Sequence, residues 1–188
     1  MVAVADQGGA RAAGDGALVV AARRGDRDAF GRLFEQYAPM VHGILLARVP
    51  ADDVGDLVQD VFVVALQKIA SLRNQNAFGA WLGMIARNRA MDYHRSTRKT
   101  TELPADLGRS DPDRAGAEQA LAAIRSLPEA YRETLVLRLV EGMTGPEIAA
   151  RVGLTPESVR VNLHRGMKLL RAKLGLAAAG EETEAEEP

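Results

Sequence analysis

The chain has 188 residues and no cysteine, which excludes disulfides and thiolate metal sites and fits a reducing compartment. Hydrophobic residues make up 47% and aromatic residues 4%, enough apolar content for one globular domain or two small ones. The net charge of −1 hides its distribution, because Glu181 to Glu187 holds five glutamates and no base and so masks basic stretches elsewhere.

No apolar run approaches the roughly 18 residues of a membrane span. The start, MVAVADQGGARAAGDG, lacks the basic opening and apolar core of a secretory signal. A cytoplasmic protein without membrane insertion is expected.

Residues 1–15 are rich in Gly, Ala and Asp without periodicity and read as disordered. From Gly16 to Tyr37 the pattern is helical, with Leu18, Ala22, Ala29, Leu33 and Phe34 on one side and a break or bend at Gly25-Asp26. A second piece, Met40 to Arg48, ends before Pro50. Asp52 to Ile69 is a strong helix, with Val54, Leu57, Val58, Val61, Phe62, Ala65 and Leu66 as its apolar stripe. Asp53, Asp56, Gln59 and Asp60 line its other side. Three readings compete for these carboxylates: a solvated face, a metal-binding bundle, or a docking surface for a basic partner. The metal reading lacks the Glu-x-x-His pairs of di-iron bundles.

SLRNQN, Ser71 to Asn76, is a polar loop. The next helix, Phe78 to Arg98, turns Phe78, Leu82, Ile85 and Ala86 inward. Its later part sets Arg87, Arg89, Arg95, Arg98 and Lys99 against Asp92. Arginines beside Trp81 and Tyr93 suit single-stranded nucleic acid, where bases stack on rings and phosphates pair with guanidinium groups. Both aromatics fit an ordinary core equally well. Residues 100–116, rich in Pro, Gly, Asp and Ser, read as a linker between two helical domains. Helices follow over Ala117 to Ser126 and Pro128 to Glu141, and residues 176–188 form an acidic tail.

Thr144 to Lys173, TGPEIAARVGLTPESVRVNLHRGMKLLRAK, carries the sharpest local pattern. Thr144 with Glu147 three residues on is a capping box, and Thr155 with Pro156 starts a second helix. Gly153 between them tolerates positive φ. Two crossed helices joined by such a turn form a helix-turn-helix, whose second helix enters the DNA major groove. Val159, Leu163, Met167, Leu170 and Leu174 stripe one side, leaving Glu157, Ser158, Arg160, His164, Arg165 and Lys168 outside. From Arg151 to Lys173 six basic residues face one glutamate, which is the charge pattern of a nucleic-acid surface.

Three segments together resemble the sigma factors of bacterial RNA polymerase, within the sigma-70 family and its extracytoplasmic-function type. They are DLVQDVF (Asp56 to Phe62), AWLGMIARNRAMDYHR (Ala80 to Arg95) and the run Ser126 to Arg171. The resemblance spans Ala17 to Leu174. It implies an all-α protein of two small helical domains, residues 16–99 and 117–175, joined by a flexible linker. It also implies two large-subunit partners on core RNA polymerase, the clamp coiled coil and the flap, together with promoter DNA. An anti-sigma protein is a further partner that the long linker permits.

By the same resemblance, Asp56, Gln59, Asp60 and Phe62 match the positions that dock on the clamp. Trp81, Arg87, Asn88, Asp92, Tyr93 and Arg95 lie on the helix that meets and melts the minus-ten element, with Asn88 at the pocket for a flipped base. Thr155, Glu157, Ser158, Arg160, His164, Arg165 and Lys168 would meet the minus-thirty-five duplex. Arg160, His164 and Glu157 are the candidates for base edges, and Arg165 and Lys168 for phosphates. The second helix departs from the family at Asn162, where a basic residue is usual. Gly166 and Met167 stand there in place of an Ala-Arg pair.

Three scattered histidines and the lack of a phosphate-cradling glycine loop leave no catalytic constellation, so no enzyme activity, metal or cofactor is expected. Strand opening would draw on binding energy, since extruding a base costs a few kcal/mol, roughly, and a pocket with stacking offsets it. The alternatives are a stand-alone helix-turn-helix regulator, which leaves the Asp56 and Asn88 helices without roles, and a helical metal protein, which lacks histidine ligands.

Overall fold

The computed structural model describes residues 7–100 and 112–176, with side chains described over 15–97 and 116–176. Eight α-helices run α1 (Gln7–Arg23), α2 (Arg27–Leu46), α3 (Ala51–Lys68), α4 (Phe78–Thr100), α5 (Pro112–Arg125), α6 (Glu129–Leu139), α7 (Gly145–Val152) and α8 (Pro156–Lys173). Short 3₁₀ turns at Ile69–Ser71 and Gln75–Ala77 join α3 to α4. No strand occurs among the described residues. The all-α expectation holds.

The N-terminal half is built around α2, which packs against α1, α3 and α4. Gly25 (φ +93°) ends the α1 run, and Asp26 caps α2 by accepting from the Ala29 N–H at 3.0 Å, so the expected break at Gly25-Asp26 is a turn plus a cap. The two pieces expected on either side of Pro39 are instead one helix. Proline removes one backbone donor, but Pro39 sits on the exposed side, where the freed carbonyl can be hydrated. Leu33, Met40, Val41, Ile44 and Leu45 hold the other side in the core. Each such side chain contributes about 1.5–3 kcal/mol on burial, comparable to what an internal proline costs.

Other boundaries also move. The helix α1 starts at Gln7, inside the stretch read as disordered, and residues 1–6 lie outside the described residues. At the expected linker, α5 starts at Pro112, so 112–116 are helical, while 101–111 lie outside the described residues, as do 177–188 of the acidic tail. Pro128 is the N-cap of α6 and precedes its first turn.

In the C-terminal half, α6 packs against α7 and α8, and Leu135 and Val136 of α6, Ile148 and Val152 of α7, and Val159 and Leu170 of α8 are all buried. The two halves are not separate. The helices α2 and α4 also pack on α6 and α7, and the buried side chains form one continuous apolar cluster.

Candidate nucleic-acid and partner surfaces

The helix α3 follows Pro50, with Asp52 and Asp53 in the first turn, where carboxylates suit the helix dipole. Val54, Val58, Val61 and Ala65 point inward, leaving Asp56, Gln59 and Asp60 exposed on the outer side. Phe62 does not join them. It is 3% exposed, its ring 4.6 Å from that of Phe34 and 6.3 Å from that of Phe30. Spacing explains this: position 62 is four residues beyond Val58 and eight beyond Val54, on the inward stripe. Phe62 is therefore a core residue that holds α3 in place, and it does not share the exposed face of Asp56, Gln59 and Asp60.

The acidic face of α3 is partly engaged by α4. Arg89 donates to Asp60, and the Tyr93 hydroxyl donates to Asp53 at 2.7 Å. The bond to Asp53, with burial, pushes the Tyr93 phenol above its ordinary pKa. Asp56 has no ion-pair partner among the described residues, so its charge is available to an incoming base. The sequence groups Arg89 with the arginines suited to nucleic acid, whereas the structure turns it onto α3. Its signal was a base on α4 facing the acidic stripe of the preceding helix.

The minus-ten candidates on α4 do not share one face. Asn88, Asp92 and Arg95 are exposed, with Arg95 3.6 Å from Asp92 one turn away. Exposed Met84 and Met91 flank Asn88 on the same side. Trp81 is half-buried, its ring centroid 5.8 Å from that of Phe78, so it braces the start of α4. Arg87 points the other way, into the C-terminal half. Its Nε donates to Glu133 Oε2 at 3.0 Å and its Nη2 to Oε1 at 2.6 Å. This two-pronged geometry is the strong form of an arginine–carboxylate pair. Burial opposes the Arg87 charge, but the Glu133 bonds and charge raise its pKa above the ordinary value.

The C-terminal candidates do share a face. Thr144 accepts from the Glu147 N–H at 3.4 Å while Glu147 accepts from the Thr144 N–H at 3.0 Å, completing the expected capping box. Thr155 accepts from the Ser158 N–H at 3.2 Å, and Gly153 closes α7 at φ +76°. These caps fix the start of α8, so Thr155 and Ser158 are exposed at its N-terminal end. Val159, Gly166 and Leu170 anchor α8 from below, and Glu157, Arg160, His164, Arg165 and Lys168 are all exposed. A helix held on one side with bases on the other can enter a groove about 12 Å wide. Asn162 is half-buried at the edge of that face.

Among the described residues no group of His, Cys, Asp and Glu is placed to hold a metal, and no helix is long and apolar enough to cross a membrane.

Comparison with known proteins places both halves. Residues 33–100 match the family model described as Sigma-70 region 2, and 117–170 match Sigma-70, region 4. RNA polymerase sigma factor CarQ of Myxococcus xanthus is 34% identical over 162 residues, covering 81% of this chain and 93% of CarQ. RNA polymerase sigma factor CnrH of Cupriavidus metallidurans is 32% identical over 184 residues, covering 85% and 94%. The ECF RNA polymerase sigma-E factor of Haemophilus influenzae is 30% identical over 179 residues, covering 85% and 95%. Among solved structures, CnrH in complex with the cytosolic domain of CnrY superposes with a TM-score of 0.62 at 28% identity, covering 87% of this chain and 99% of that one. The two family regions fall on the two helical halves just described, in the same order and on one chain. The protein belongs to the sigma-70 family, as a sigma factor of the extracytoplasmic-function type.

Proposed function

We propose that this protein is a dissociable promoter-specificity subunit that binds core RNA polymerase in the cytoplasm and directs where transcription starts. The observation that carries this is the pair of sigma regions on one chain, each presenting an exposed charged helix face of the sign its partner needs. In this reading Asp56 and Gln59 on α3, with Asp60, dock on a basic surface of the polymerase clamp. Asn88, Asp92 and Arg95 on α4, with Arg87 once it is free of Glu133, receive the melted minus-ten strand. Arg160, His164 and Glu157 on α8 read base edges of the minus-thirty-five duplex, and Arg165 and Lys168 hold its phosphates. The protein carries out no chemistry, since binding energy opens the strands and the polymerase makes RNA. An anti-sigma protein is the expected antagonist, as CnrH forms a complex with the cytosolic domain of CnrY.

The test is reconstitution. Purified protein is added to core polymerase and run-off transcripts are mapped on the host's own genomic DNA. Discrete promoter-dependent transcripts are expected, and their absence together with no polymerase binding would sink the reading. Replacing Asp56 and Gln59 with alanine should abolish polymerase binding while leaving the helical content intact, because both side chains are exposed.

A further inference from the structure

We propose that Met84 and Met91 form an oxidation-sensitive grip on the melted strand. As thioethers they close on one unpaired base beside Asn88, and their oxidation to sulfoxides by hydrogen peroxide releases it. The proposal rests on the reading of α4 as the helix that meets that strand.

The inward side of α4 is complete without these two residues. Leu82, Ile85, Ala86 and Ala90 carry it, and all four are buried. Met84 and Met91 instead stand 50% and 57% exposed. A single exposed apolar side chain is ordinary, but two long ones bracketing an amide, beside Asp92 and Arg95, form a pattern. Asn88 is four residues beyond Met84 and three before Met91, so the three share one side of the helix. Asn88 is itself exposed.

With a rise of about 1.5 Å per residue, the two methionines stand about 10 Å apart along the axis. A flat ring held between two side chains needs about 7–8 Å, twice an ordinary carbon contact. Methionine is unbranched and flexible, and its sulfur sits favourably against aromatic rings, so the pair can close that difference. A base held in this way turns its edge to the Asn88 amide, which both donates and accepts.

The same exposure makes these sulfurs the reactive ones. The chain has six methionines and no cysteine, so no thiol intercepts an oxidant first. Met40 and Met143 are buried, Met167 packs against the core, and Met1 lies outside the described residues. Peroxide transfers one oxygen atom to a thioether: an S–O bond forms, the O–O bond breaks, and the sulfur gives up two electrons. The proton on the transferred oxygen passes to the departing hydroxide, which leaves as water. The sulfoxide is polar and chiral, so the apolar contact on each face of the base is lost until a reductase restores the thioether.

The test treats the purified full chain with hydrogen peroxide, removes the peroxide with catalase, and then adds untreated core polymerase. The readout is each protein's ratio of affinities, before and after treatment, for the single non-template strand of a promoter mapped by run-off. Wild type should weaken about tenfold, the scale of one lost base contact. The double variant Met84→Leu with Met91→Leu should show a ratio near one, although the other four methionines remain in it. Peptide mass spectrometry should place the added oxygen on Met84 and Met91, and the two methionine sulfoxide reductases, one for each epimer, should restore binding. The proposal is overturned by a wild-type ratio near one once both sulfurs carry oxygen, or by an equal loss in the double variant. It is also overturned if Met84 and Met91 stay unoxidised, or if the loss resists reduction. Polymerase binding through α3, which holds no methionine, tests the sigma reading separately. An untreated protein that binds neither polymerase nor strand overturns that reading, and this proposal with it.

Discussion

Phe62 separates docking from packing on α3, and a substitution there has a calculable outcome. Phe62→Leu keeps an apolar side chain but removes ring contacts with Phe34 at 4.6 Å and Phe30 at 6.3 Å. An aromatic pair adds about 0.5–1.5 kcal/mol beyond its buried area, so losing the two costs roughly 1–3 kcal/mol. If the N-terminal helices melt alone, each kcal/mol lowers Tm by about 4–8 °C, and by about half of that if the whole chain melts as one unit. A fall of roughly 5–15 °C in a circular-dichroism melt is therefore expected. Polymerase affinity, measured by competition well below the new Tm, should stay within about twofold, because a side chain 3% exposed offers a partner almost nothing. Asp56→Ala should behave oppositely, with an unchanged melt and lost binding. A Phe62→Leu protein that melts normally yet binds polymerase as poorly as Asp56→Ala would refute the core assignment.

Stability should also respond to pH through His42, whose pKa is raised above 6.5 chiefly by its hydrogen bond to Glu141, against an opposing effect of burial. A raised pKa means this contribution is complete below the unperturbed value and is lost as pH climbs through the raised one. The melting temperature should thus decline as pH climbs from below 6.5 through the raised value, and His42→Gln should flatten that decline; a His42-dependent rise with pH would contradict it. On α8, Arg160→Ala should cost about 1–3 kcal/mol against some duplexes and little against others in a panel varied one base pair at a time. Lys168→Ala should weaken all of them alike and lower the salt slope by about one, and a base-selective loss at Lys168 would reverse the two roles.

The parts of the fold that could be read from the sequence are those set by neighbours along the chain. Thr144, Glu147, Gly153 and Thr155 act within one or two turns, so their caps and the positive φ between them were visible from spacing. The α3 stripe was visible for the same reason. The resemblance groups Phe62 with Asp56 and Gln59, whereas the 3.6-residue period puts it with Val54 and Val58. Pro39 misled in the other direction: its local preference to end a helix gave way to the burial of Met40, Val41 and Ile44 beyond it. Nothing local connects Arg87 with Glu133, 46 residues further on. The trace of that pair in the sequence was an acid placed one turn before the apolar run Leu135 to Leu137. Such a residue asks for a cation without saying which one.

The helix α6 bears on two surfaces at once. Toward α8, Tyr131 and Leu135 close on Gly166, where an added β-carbon would fall 3.1 Å from Tyr131 Cβ and 3.0 Å from Leu135 Cδ1. Glu133, between those two residues in sequence, faces the opposite partner. Transplanting another family member's reading helix onto this scaffold would bring in the alanine usual at that position, and the displaced rod would carry its carboxylate with it. A chimera made only to change which duplex is recognised would then also disturb the bonds that Glu133 accepts from Arg48 and Arg87. For anyone redesigning promoter choice here, residue 166 and the Glu133 ion pairs form one design variable.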